Sequence, residues 1–407
     1  MNKTILSVVM IFIICNLYSQ GYWTQKADFP IAGRQHAPGF SIGSKGYVIF
    51  GNSTSFLNSD DLVEYDQATD TWTQKADFPG SDRLFGQVFA INDKAFVCSG
   101  AEWTSYGTYI GFNDVWRYNP ATDNWVQLGN FPGIARHGGF SFAYDGKGYV
   151  GMGMDENNNY LNDMWEYNPS TDSWTQKASF PGTPRKSGFN FAIGKYGFIG
   201  LGYYGSSLTQ IMDVWQFDAP ANTWIQKNNF PYAGRCWLGS FAIGNKGYIV
   251  DGYLIAAQAN TTQFYEYDPN NDSWTQLEDY TGDARRAGSG FAINGKAYYG
   301  TGNASSNWYQ DFYEYTPGTA GVDNLVDNIS GSKIYPNPAL DRLSVSSRND
   351  AGLFSVQIFN SIGQLVLTSF NSEDIDISAL PEGLYLVKLY NSANEILGQK
   401  SFIKTGK

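Results

Sequence analysis

The chain has 407 residues, among them 28 Tyr, 27 Phe, 12 Trp and 45 Gly, and only 16% are charged, against about 25% in an average soluble domain. That composition suits short aromatic strands joined by glycine turns, and the length suits two domains, because a single core stops growing beyond about 250 to 300 residues. The 27 Lys and Arg set against 38 Asp and Glu leave a net charge of -11 with no basic block, which argues against a nucleic-acid partner.

Residues 1–19 read as a secretory signal peptide. Lys3 precedes an apolar run from Ile5 to Cys15, and Ser19 supplies a small residue for cleavage. The run is too short to span a bilayer, which takes about 20 apolar residues, and no later segment comes near that length. The mature chain is therefore expected to be exported and to carry no transmembrane segment. Ile14, rather than a small residue, precedes Cys15 and speaks against a lipid anchor there. Export permits a disulfide between Cys98 and Cys236, but two cysteines do not imply one, and a buried free thiol is the default.

From Trp23 onward the chain repeats. Trp23, Trp72, Trp125, Trp174, Trp224 and Trp274 stand 49, 53, 49, 50 and 50 residues apart. Eleven residues after each comes an arginine: Arg34, Arg83, Arg136, Arg185, Arg235 and Arg285. Seventeen after each comes a phenylalanine, from Phe40 to Phe291, and twenty-eight after each a glycine, from Gly51 to Gly302. Eleven residues before the next tryptophan stand Asp61, Asp114, Asp163 and Asp213, with Gln263 as the exception, and Asp311 closes the series. Within a unit, period-two alternation marks four short strands, the first two joined by tight-turn residues such as Asp145-Gly146 and Asn294-Gly295. Four-stranded units at this period predict propeller blades. The last unit lacks a fourth strand, and the segment around Trp23 is a fourth strand without a blade. Joining the two ends predicts six blades in 20–317, with the strand at Trp23 pairing near Tyr313 and no open edge left.

The pattern Pro-x-x-x-Arg, the glycine ending the second strand, Asp-Val-Trp-Arg-Tyr-Asn-Pro in the third and Trp opening the fourth resemble the kelch repeat. One departure stands out. Kelch units usually end the second strand in Gly-Gly, whereas this chain has Phe50-Gly51, Ser99-Gly100, Met152-Gly153 and Leu201-Gly202.

After Pro317 the repeat gives way to a small-residue linker, 318–332. Residues 333–407 then carry new alternating runs, including Phe354-Ser-Val-Gln-Ile-Phe and Leu384-Tyr-Leu-Val-Lys-Leu, which predict a small immunoglobulin-like sandwich. The motifs Tyr335-Pro-Asn-Pro-Ala-Leu-Asp, Asn360-Ser-Ile-Gly-Gln and Leu380-Pro-Glu-Gly-Leu-Tyr resemble the C-terminal sorting domain of type IX secretion cargo. That resemblance implies a Bacteroidetes-type route: the type IX secretion machinery as a partner, and a secreted or outer-membrane cell-surface location.

In a propeller the first strand of each blade lines the channel, so the six arginines are expected as a ring at one mouth. The loops between second and third strands open on the same face, and the longest, 101–113, carries Trp103, Tyr106 and Tyr109. Arginine forks and aromatic faces suit an anionic sugar or an acidic peptide. Against that stands a structural ring, in which the repeat aspartates pair with the arginines; Arg235, facing Gln263, is then the place to look for a free guanidinium. Asp155, Asn157, Asn159, Asp163 and Glu166 approach a calcium-loop spacing, but Tyr160 takes the place of the glycine. A copper-radical site as in kelch-fold galactose oxidases needs more than His36 and His137, which sit at non-equivalent repeat positions. No catalytic residue, metal or cofactor is assigned. The expectation is an exported kelch propeller recognising an extracellular glycan or protein. The alternatives are a sialic acid mutarotase or epimerase, which the kelch resemblance suggests, and a structural spacer.

Overall fold

The computed structural model describes residues 21–54, 58–105, 108–318, 333–346, 355–360, 365–370, 372–391 and 396–405. The signal segment 1–19, all of the linker after Gly318, and Tyr106 lie outside them. The chain divides after Pro317 into two compact units. Among the described residues all regular structure is β-strand, and no helix is long and apolar enough to cross a membrane.

Gly21–Pro317 contains six four-stranded antiparallel sheets. Their inner strands are Gly39–Ile42, Gln87–Ile91, Phe140–Tyr144, Phe189–Ile193, Gly239–Ile243 and Ser289–Ile293, and each contacts the next until the sixth returns to the first. We number these sheets blades 1 to 6. Blade 6 is completed by the first strand of the unit: Tyr22–Lys26 pairs with Phe312–Thr316, placing Trp23 opposite Tyr315 and Gln25 opposite Tyr313. The two chain ends of the propeller thus share one sheet, which removes the edges that an open ring would leave unpaired.

The repeated tryptophan welds neighbouring blades. The indole N–H of Trp72, Trp125 and Trp224 donates to the carbonyls of Ala27, Ala76 and Ala178 in the preceding unit, each at 2.9 Å. The turn before each tryptophan adds a second link. Asp70, Asp123 and Asp172 each accept a tyrosine hydroxyl of their own blade, from Tyr65, Tyr118 and Tyr167, and a backbone N–H of the preceding unit, from Ala27, Ala76 and Gly129. A phenylalanine six positions after the tryptophan packs edge-on against the next one: Phe29 on Trp72, Phe78 on Trp125, Phe131 on Trp174, Phe180 on Trp224 and Phe230 on Trp274.

The glycine that closes each second strand is required by its backbone. At Gly153 φ is 89°, its N–H donates to the Arg185 carbonyl of the next blade at 3.2 Å, and an added Cβ would lie 2.7 Å from the His137 carbonyl oxygen. The residue before it is left-handed too, with φ of 66° at Phe50, 64° at Ser99, 54° at Met152 and 58° at Leu201. The position where kelch units carry their first glycine therefore keeps its conformation here with side chains on it, at a cost of about 1 to 2 kcal/mol each.

The second unit is a sandwich. A sheet of Lys333–Tyr335, Arg342–Ser346 and Asp374–Asp376 faces one of Leu365–Phe370, Ser355–Asn360, Gly383–Tyr390 and Ile396–Lys404. One core joins them, with Leu343, Val345 and Ile375 from the first sheet and Val356, Ile358, Val387, Leu389 and Phe402 from the second.

Candidate functional site at the channel mouth

The six repeat arginines sit where the inner strands begin, and they are not available to a ligand. Arg83, Arg136, Arg185, Arg235 and Arg285 are fully buried and Arg34 is 3% exposed. Each guanidinium is used up internally. Arg83 gives Nε to the Ser81 carbonyl, Nη1 to the Ser99 carbonyl, and the Nη1 and Nη2 pair to both oxygens of Asp114 at 2.7 and 2.8 Å. Arg136 holds Asp163 in the same fork, Arg185 holds Asp213 and Arg285 holds Asp311, while Arg34 reaches Asp61 at 3.0 Å. The Phe78 ring lies under Arg83 at 4.5 Å and Phe131 under Arg136 at 4.8 Å. Reading these residues as an open ring of guanidiniums therefore needs correction: the aspartates satisfy them and the aromatic core covers them. Blade 5 is no exception, because Gln263 accepts from Arg235 Nη2 at 2.7 Å. Asp251, buried in the same blade 4.0 Å from Arg285, does not restore the missing charge, because burial raises its carboxyl well above the usual carboxylate range.

The open chemistry lies one and two residues further on, at Gln35-His36, Leu84-Phe85, His137-Gly138, Lys186-Ser187, Cys236-Trp237 and Arg286-Ala287. The second member of each pair is left-handed, with φ between 53° and 64°. Their backbones form a closed ring of six hydrogen bonds: His36 N–H to the Ala287 carbonyl, then Phe85 to His36, Gly138 to Phe85, Ser187 to Gly138, Trp237 to Ser187 and Ala287 to Trp237, at 2.6 to 3.4 Å. Left-handed backbone at non-glycine residues concentrates at functional sites, and here it interrupts strand alternation, so that first members such as His137, Lys186 and Arg286 and second members such as His36, Phe85 and Trp237 meet in one cluster.

Those side chains form one cluster. His36 stacks on Phe85 at 3.8 Å, and Tyr109, from the long blade 2 hairpin, stacks on His137 at 4.3 Å. Lys186 Nζ donates to His137 Nε2 at 3.2 Å and lies over the rings of Tyr109 and Tyr203. Arg286 lies over Trp237 and Tyr253, each at 5.2 Å. Trp103 packs edge-on behind Tyr109 at 4.7 Å. Of the expected ligand residues, then, Tyr109 belongs to this cluster, Trp103 supports it, the six arginines stand behind it, and Tyr106 is outside the described residues.

The electrostatics are one-sided. Lys186 is 4% exposed, yet among the described residues no carboxylate lies within ion-pair distance of Lys186 or Arg286. Burial lowers the Lys186 ammonium to about 8. Burial, and then the Lys186 charge, holds His137 well below the usual imidazole range; His36 is lowered by burial and by Arg286, Lys186 and His137. With His137 Nε2 accepting from Lys186, the ring proton sits on Nδ1, which is buried without a partner, as is the Trp237 indole N–H. Cys98 and Cys236 are buried free thiols, each pushed up to about 12 by burial.

Residues 148–181 match the Kelch motif, and residues 333–404 match the secretion system C-terminal sorting domain. The chain is a kelch-type propeller with a secretion sorting domain. The sorting domain marks it for type IX secretion, to the cell surface or the extracellular space. N-acetylneuraminate epimerases of Shigella sonnei (strain Ss046) and Escherichia coli (strain K12) are each 40% identical to this kelch protein over 52 residues. That stretch is 12% of this chain and 14% of theirs. The solved structure of YjhT superposes with a TM-score of 0.61 at 19% identity, covering 70% of this chain and 95% of its own, a likeness of fold.

The cluster has a signature in the repeat that a search for recurring residues passes over. Every position that recurs is structural, whereas the two columns after the arginine change in each blade.

Proposed function

We propose that this exported propeller recognises an extracellular glycan, and that it does so by taking a carboxylate-bearing sugar into the channel mouth. The observation that carries this is Lys186, a nearly buried cation with no carboxylate partner among the described residues, in one cluster with the half-buried Arg286, whose Nε meets the Asn303 carboxamide oxygen and no carboxylate. An ion removed from water costs several kcal/mol unless it is paired, and a ligand carboxylate supplies the pair, with the guanidinium fork suited to its geometry. The faces of Trp237, Tyr253 and Tyr109 suit the apolar faces of a pyranose, and the unpartnered N–H groups of His137 and Trp237 suit its oxygens. One anion, a flat apolar face and many acceptors describe a sugar acid better than an acidic peptide.

Isothermal titration calorimetry on the full secreted chain tests this with N-acetylneuraminic acid, glucuronic acid and neutral N-acetylglucosamine. Heat with at least one acid and none with the neutral sugar supports the reading; equal binding of all three, or of none, refutes it.

A second reading, catalysis at the anomeric centre, draws on one specific observation. Lys186 and a neutral His137 share a hydrogen bond at 3.2 Å and can exchange a proton beside a bound sugar, and the matched curated relatives are named as epimerases. Anomer exchange followed by NMR with and without protein separates binding from turnover.

A further inference from the structure

The mouth cluster does not end at the mouth. Tyr253 and Tyr203 both pack against Trp237, with ring centroids 5.8 and 5.5 Å from it. Tyr203 is almost wholly buried, and its ring lies 6.5 Å from that of Tyr160, which in turn lies 4.8 Å from Tyr204. These residues come from three consecutive blades. Tyr253 and Trp237 belong to blade 5, Tyr203 and Tyr204 to the blade 4 hairpin in which Tyr204 pairs with Thr209, and Tyr160 to the blade 3 loop, its hydroxyl 3.5 Å from the Gly205 carbonyl. Together they make a continuous aromatic strip that starts beside Lys186 and Arg286 and runs to Tyr204, a residue 44% exposed.

A site for a free monosaccharide needs only the cup. We infer that the ligand is an oligosaccharide whose terminal, carboxylate-bearing residue enters the mouth and whose following residues lie along Tyr160 and Tyr204. This rests on the reading of the mouth as a sugar-acid site. Three features favour a glycan chain as the occupant. The cations Lys186 and Arg286 both belong to the mouth cluster, so the ligand carries its anion at one end, whereas a polyanion would meet the exposed Glu156 of the blade 3 loop and a chain of net charge -11. Away from the cup the surface turns to tyrosine, a flat apolar face with a polar tip, which suits a neutral sugar ring. Beside this ledge the blade 3 loop exposes Asn157 and Asn158, whose carboxamides can bond hydroxyls from both ends, while Asn159 Nδ2 is held by Asp155 at 2.9 Å.

The experiment compares N-acetylneuraminic acid with the trisaccharide in which it is joined to lactose, by calorimetry on the full chain and on Tyr204→Ala and Tyr160→Ala. The inference predicts that the trisaccharide binds about tenfold tighter than the monosaccharide, roughly 1.4 kcal/mol. Tyr204→Ala should remove that gain while leaving monosaccharide affinity and melting temperature unchanged. Equal affinities for the two sugars overturn the chain inference and leave the cup intact, as does a Tyr204→Ala variant that weakens both alike. Binding of neither overturns the cup reading and this inference with it. A polyglutamate peptide that binds in a Tyr204-dependent manner, where the trisaccharide does not, replaces the glycan with an acidic peptide and also overturns it.

Discussion

The arginine column and the two columns that follow it lie side by side in sequence and within a few ångströms in space, and they treat charge in opposite ways. Every guanidinium of the first column is buried with acceptors on all sides: five meet an aspartate and Arg235 meets Gln263. The next columns hold Lys186 and Arg286 against aromatic rings, with no carboxylate of the described residues within ion-pair distance. The first column is the same in every blade because it solves the same problem six times, tying the start of the inner strand to the start of the third. The following columns differ in every blade because together they build one asymmetric cup. A buried charge is thus a fastening where its partner is encoded in the repeat, and under the proposed function it is a recognition element where the partner is left for a ligand to bring.

That comparison can be broken at its strongest point. Arg136→Met removes a fully buried partner from Asp163 and its contact with the Phe131 ring, and should cost about 3 to 5 kcal/mol of stability, read as a large fall in melting temperature. A change below about 1 kcal/mol would mean that the column is not a fastening.

The pH dependence of binding sharpens the other half. The Lys186 ammonium is lowered to about 8, and it is faced by His137, Tyr109 and Tyr203, with His36, Arg286 and Cys236 close by. A bound carboxylate favours the charged amine. Below pH 8 the amine is already charged and affinity should be flat; above it binding must take up a proton, so the dissociation constant should rise by up to about tenfold per pH unit. Calorimetry in two buffers of different ionisation enthalpy reads the same proton uptake directly. Affinity independent of pH from 7 to 10 would exclude Lys186 from the ligand.

The smallest expected effect concerns the blade backbone. Ser99 is left-handed at 64° with only a small side chain to lose, so Ser99→Gly should stabilise the propeller by about 1 kcal/mol. No gain would mean that its contact with Cys98 offsets the strain.

What could be read in the sequence follows the same division. The blades and the pairing of Trp23 with the last strand were legible because their residues recur at fixed offsets, and the pairing of arginine with aspartate was legible as an alternative to an open ring. The left-handed position before each closing glycine showed itself as a departure from Gly-Gly. The cup was not legible, because periodicity favours what repeats and the cup is made of what does not. His36 and His137 looked unrelated at offsets of 13 and 12 from their tryptophans, yet the left-handed residue between strand and loop brings both offsets to the same mouth. Tyr109 was found only because its loop is long. Lys186 and Arg286, which follow arginines of the repeat, were hidden behind them.

The most direct test measures sugar-acid binding and melting temperature together in Lys186→Met and Arg235→Met. The account predicts that Lys186→Met lowers affinity at least about hundredfold, the worth of a charge-assisted bond in a dry site, while its melting temperature stays level or rises. Arg235→Met should melt earlier and, while folded, bind as the native chain does. The reverse result, with affinity lost in Arg235→Met and kept in Lys186→Met, would contradict the account and return the ligand to the arginine ring.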